Sequence, residues 1–126
     1  MHRRALGARE RVFGKEHPEM LISIYNIAEV LLRRGEYEEA ERMHRRALEG
    51  RDKSLGKEHP RTLMSMQRLA YLYHQLKHYD TAYELYQKAC DGLSRVFGQQ
   101  HPVTITCYRV FADMVSLSRL MPRELH

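Results

Sequence analysis

The chain has 126 residues, 43% hydrophobic and 29% charged, the size and balance of one ordinary globular unit able to bury a core without metal or disulfide staples. No apolar run approaches the roughly 20 residues of a membrane span, and the opening MHRRALGARERVFG lacks the apolar stretch of a secretory signal, so a cytoplasmic location away from membranes is expected. The formal charge of +5 raises nucleic acid as a partner through the basic helices around Arg3, Arg4, Arg45, Arg46 and Arg51, but no aromatics interleave with these arginines, and Arg3, Arg4, Arg45 and Arg46 read more simply as solvated faces.

In chain order the sequence repeats itself every 42 positions. Residues 1–18, MHRRALGARERVFGKEHP, match residues 43–60, MHRRALEGRDKSLGKEHP, at 12 of 18 positions, and residues 85–102 keep Ala89, Gly98, His101 and Pro102 in phase. A fixed internal period of this length signals stacked supersecondary units. Residues 1–13 read as part of a second helix from a preceding unit. From Pro18, EMLISIYNIAEVLLRR carries Leu21, Ile24, Tyr25, Ile27, Ala28, Leu31 and Leu32 at the spacing of a broad buried helical stripe, which Gly35 ends. The following EYEEAERMHRRALEGRDKSL gathers Tyr37, Ala40, Met43, Ala47 and Leu48 on one face, with acids early and bases late as the helix dipole prefers. The same pair of patterns recurs over 60–98, and 102–126 supplies one more first helix, with Pro122 as a stop.

The pentapeptide GKEHP at 14–18 and 56–60, with GQQHP at 98–102, is the joint between units. Glycine closes one helix and proline opens the next, where no amide donor is needed. His17, His59 and His101 then fall at the N-cap, where a neutral imidazole can accept a free amide proton. A zinc ion shared by these histidines is not expected, because ligand nitrogens must lie about 2.0 to 2.1 Å from the metal while helices stand about 8 to 10 Å apart. His74 and His78, spaced i to i+4, read as a solvated turn rather than a metal site. Cys90 and Cys107, the only cysteines, form no metal or Cys-x-x-Cys pattern and are expected to be reduced and partly buried. No glycine-rich phosphate loop or nucleophile grouping stands out, so neither an enzyme nor a cofactor is expected.

These residues resemble the tetratricopeptide repeat in its 42-residue form, found in kinesin light chains and fungal repeat arrays. Ile24, Ile27, Ala28, Leu31, Gly35, Tyr37, Ala40 and Ala47 fall on the family's signature positions, as do Met66, Leu69, Ala70, Tyr73, Tyr79, Ala82, Tyr86 and Ala89 in the next unit. The resemblance implies an all-α fold, a right-handed solenoid of stacked antiparallel helix-turn-helix hairpins.

It also implies a non-catalytic scaffold that holds a peptide or partner domain on the concave face of the first helices. The positions matching that face are Ile22, Tyr25, Asn26 and Glu29, then Met64, Gln67, Arg68, Tyr71 and Gln75, then Thr106, Arg109 and Asp113. Asn26, Arg68 and Arg109 would meet a peptide backbone or carboxylate, and Tyr25 and Tyr71 would offer flat apolar contacts. The lysine and asparagine set of a chaperone-type carboxylate clamp is not reproduced. Other roles stay open: a sensor segment of a larger NTPase-type receptor, self-association through uncapped terminal helices and, as a minor alternative, nucleic-acid binding.

Overall fold

The computed structural model describes residues 17–119, with side chains through Leu117. The half-helix expected at 1–13, Gly14, Arg3, Arg4 and the segment 120–126 with Pro122 lie outside the described residues. Five helices follow one another: α1 (Pro18–Arg33), α2 (Tyr37–Leu55), α3 (Pro60–Gln75), α4 (Tyr79–Phe97) and α5 (Pro102–Arg119). No strand occurs among the described residues.

The joints behave as their residue types dictate. Nδ1 of His17, His59 and His101 accepts the backbone N–H of Glu19, Arg61 and Val103 respectively, each at 3.1 Å, which satisfies one of the free donors at each helix start. Gly56 and Gly98 follow α2 and α4 with φ of 94° and 93°, a region open to glycine at little cost. Their amides still donate back to the carbonyls of Asp52 and Ser94.

Consecutive helices form the principal contacts throughout, α1 on α2, α2 on α3, α3 on α4 and α4 on α5. The fold is an all-α repeat solenoid. Within the hairpins Ala28, Ala40, Ala70 and Ala82 are fully buried, so the helix axes approach closely. Gly50 and Gly92 serve the same end: a Cβ on Gly92 would stand 2.5 Å from Leu63 Cδ2, and one on Gly50 would overlap Leu21 in the same way. The core runs along the stack as linked clusters. Met20, Leu21, Ile24 and Ala47 join α1 to α2; Leu31, Leu32 and Ala40 meet Leu72 of α3; Leu69 and Tyr73 pack with Ala82; and Leu63, Ala89, Cys90 and Leu93 continue to Cys107 of α5. Both cysteines are thus fully buried, deeper than the partial burial expected, because the α3–α4–α5 contact closes over them.

Candidate functional site

Three first helices, α1, α3 and α5, rise side by side and leave a groove of about 290 Å³ between them. Tyr25 comes from α1, Met64, Gln67, Arg68 and Tyr71 from α3, and Thr106 and Val110 from α5, while Tyr86 of α4 reaches the floor. Met64 is 45% exposed, unusual for a large apolar side chain, whereas Tyr86 is almost wholly buried. Burial, followed by the neighbouring Tyr71, pushes the Tyr86 hydroxyl up to about 12, so it stays neutral across the physiological range.

The groove's cation is already committed. Arg68 Nε lies 3.3 Å from Glu29 Oε1 and donates to the Tyr25 hydroxyl at 3.4 Å. Behind them His44 of α2 is fully buried, its Nε2 3.2 Å from the same Glu29 oxygen, at ion-pair distance though not in line for a hydrogen bond. The Tyr25 ring meets His44 edge-on, centroids 5.1 Å apart. The His44 imidazole, helped by Arg68, holds the Glu29 carboxyl below its ordinary value against the opposing effect of burial. The result is a charge-balanced floor rather than an open anion site.

Of the twelve positions singled out from sequence, Tyr25, Met64, Gln67, Arg68, Tyr71 and Thr106 line this groove. Glu29 lies beside Arg68. Ile22 lines a separate pocket near the start of α1. Asn26, Arg109 and Asp113 are exposed and Gln75 is half-buried, none of them lining the groove. The sequence reading missed Tyr86 and Val110 as lining residues and His44 as a support. A signal existed at this position: His2, His44 and Tyr86 stand one period apart, so the last copy departs from the first two there. His74 and His78 turn to different tyrosines, His74 edge-on to Tyr79 and His78 stacked on Tyr73. No group of three metal-ligating side chains forms among the described residues, and no helix there is long and apolar enough to cross a membrane.

The tetratricopeptide repeat model matches residues 1–53 and 20–94, well over half of the chain. The chain belongs to the tetratricopeptide repeat family. Tetratricopeptide repeats generally mediate protein–protein interaction and are typically non-catalytic. No curated protein matches the sequence. Among solved structures, the chain is similar to the nearly identical TPR-like repeats of a kinesin-light-chain-like protein from Podosopora anserina, with a TM-score of 0.82 and 22% identity over 90% of this chain and 54% of that one. A glutamine-to-methionine variant of that protein gives a TM-score of 0.81 at 22% identity, over 90% of this chain and 53% of that one. The tetratricopeptide chain described here thus spans about half the length of these solved chains, and at such identity the likeness carries the fold alone.

Proposed function

We infer that this tetratricopeptide repeat segment is a non-catalytic scaffold that holds an extended peptide of a protein partner in the groove between α1, α3 and α5. The observation that carries the reading is the convergence of Tyr25, Met64, Gln67, Arg68, Tyr71 and Thr106, from three successive repeats, around one open groove. Met64 and the tyrosine rings supply apolar area that is solvated in the free chain, and Gln67 and Thr106 supply the donors and acceptors that a peptide backbone needs. Since Glu29 already balances Arg68, the groove favours an uncharged side chain over a carboxylate.

Peptides selected from a random displayed library on the wild-type chain test this. Tyr71→Ala and Met64→Glu should each weaken the selected peptides by about tenfold or more, or about 1.4 kcal/mol. Glu84→Ala, on the exposed side of α4, should leave them unchanged. Equal affinity in all three variants would place the peptide site elsewhere.

A further inference from the structure

A second pocket of about 270 Å³ lies at the joint between repeats, away from the groove. Leu21 and Ile22 of α1 and Leu55 at the end of α2 form its apolar wall, and Arg51, His59 and Arg61 bring polar groups to it. Arg51 is 7% exposed. Its Nη1 donates to the Arg61 carbonyl at 3.2 Å and to Ser65 Oγ at 2.9 Å, and its guanidinium carbon stands 4.7 Å from the centre of the Tyr25 ring. None of these partners carries a negative charge. No carboxylate among the described residues is at ion-pair distance from Arg51 or Arg61.

A buried cation without a counter-charge is costly, and a second cation on the same pocket raises that cost. Burial pulls the Arg51 guanidinium below its ordinary value; Tyr25 offsets part of this and Arg61 adds to it. The protein's own repeat shows that the scaffold does not require the charge. One period later Arg51 is replaced by Leu93, Ser54 by Val96 and Arg61 by Val103, and Leu93 is fully buried in the same packing role. The joint between α4 and α5 therefore folds with apolar residues at all three positions.

We propose that the joint pocket is a second binding site, which takes the carboxylate of an acidic peptide side chain against Arg51 and Arg61, with the flanking apolar residue of the peptide on Leu21, Ile22 and Leu55. The match is one of charge and of surface. A monoanion on an aliphatic stem suits a pocket with one apolar wall and one cationic wall, whereas a strongly hydrated phosphate dianion would lose more water against the leucines. The site is a different pocket from the groove between α1, α3 and α5 and takes the opposite ligand chemistry; the two are linked by Tyr25, whose ring packs on Arg51 and whose hydroxyl accepts from Arg68.

The test is a titration of the nitrogen-15-labelled chain with the blocked peptide acetyl-Leu-Glu-Leu-Glu-Leu-amide, following the arginine Nε–Hε signals. A glutamine-for-glutamate peptide and a phosphoserine-for-glutamate peptide run beside it. The acidic peptide should shift the Arg51 and Arg61 signals saturably and the glutamine peptide should not. Arg51→Leu, the residue of the following unit, should weaken binding by about tenfold or more while the melting temperature holds or rises, and exposed Arg61→Ala should weaken it likewise. Glu84→Ala, on the exposed side of α4, should leave this affinity unchanged. The proposal is overturned by the absence of saturable shifts, by equal binding of the glutamine peptide, or by tighter binding of the phosphoserine peptide. A lowered melting temperature in Arg51→Leu together with full affinity in Arg61→Ala would also overturn it, since Arg51 would then serve only the fold.

Discussion

Glu29 shows how one side chain comes to serve three helices. It projects from α1, its carboxylate oxygen lies near His44 of α2, and it reaches Arg68 of α3, so it ties the first hairpin to the second at the floor of the groove. Three neighbours hold its carboxyl below the ordinary value of 4.5, His44 first, then Arg68 and Arg33, against desolvation. A carboxyl whose folded value is depressed stabilises the folded state above its unfolded value, and that contribution is lost as pH falls through the lower folded value. Glu29→Gln should therefore destabilise the chain by about 1 to 2 kcal/mol at pH 7, where the substitution removes a charge-assisted contact from a buried imidazole. The difference from wild type should shrink once pH falls below the usual carboxylate range, as the wild-type carboxyl itself is protonated. Urea denaturation of both proteins at pH 7 and pH 3 checks this, and a difference that stayed constant with pH would remove the electrostatic account.

The two helical hairpins make nearly the same turn with different residues, and the residue difference sets a cost. Gly35 ends α1 with φ of 79°, where the left-handed region is open to it. Its counterpart after α3 is Lys77, held at φ of 66° in the same turn. A side chain in that region costs roughly 1 to 2 kcal/mol, while glycine's greater freedom in the unfolded chain returns about 0.4 to 1 kcal/mol of that advantage. Lys77 is exposed and the equivalent turn in the first hairpin already uses glycine, so Lys77→Gly should raise stability by about 0.5 to 1 kcal/mol. Thermal melting under matched conditions measures it. A fall in melting temperature would mean that Lys77 contributes through its side chain more than its backbone costs. The same turn illustrates why the joints were easy to read and the turns were not: Gly56 and Gly98 recur with His-Pro after them, but nothing near Lys77 in the sequence announces a left-handed residue.

At the scale of the whole molecule, the parts legible in the sequence were those decided locally or by the repeat. The His-Pro caps follow from the chemistry of one helix start, and Ala28, Ala40, Ala70 and Ala82 follow from the 42-residue period. The Glu29–His44–Arg68 cluster and the Arg51 pocket were not legible, because each depends on side chains meeting across different helices. Arg51 read only as one of several arginines on basic helices. The available clue was a break in the repeat: His2 agrees with His44 and Arg9 with Arg51, and the last copy has Tyr86 and Leu93 in their place. The solenoid also dictates how the molecule should come apart. Since the principal contacts run between consecutive helices, stability is close to a sum of hairpin terms and interface terms, and a break at one interface should free one end without melting the other. Leu72 is fully buried and joins α3 to Leu31, Leu32 and Ala40 of the first hairpin. Leu72→Ala should cost about 2 to 5 kcal/mol, most of it at this interface. Native-state hydrogen exchange should then show the amides of α1 and α2 opening at lower free energy than those of α3 and α4, a gap of about 2 kcal/mol corresponding to roughly thirtyfold faster exchange. Leu93→Ala, in the cluster that joins α3 and α4 to Cys107 of α5, should give the reverse pattern, with protection lost first at α4 and α5. Equal loss of protection along all five helices in both variants would show a single cooperative unit and sink the nearest-neighbour account.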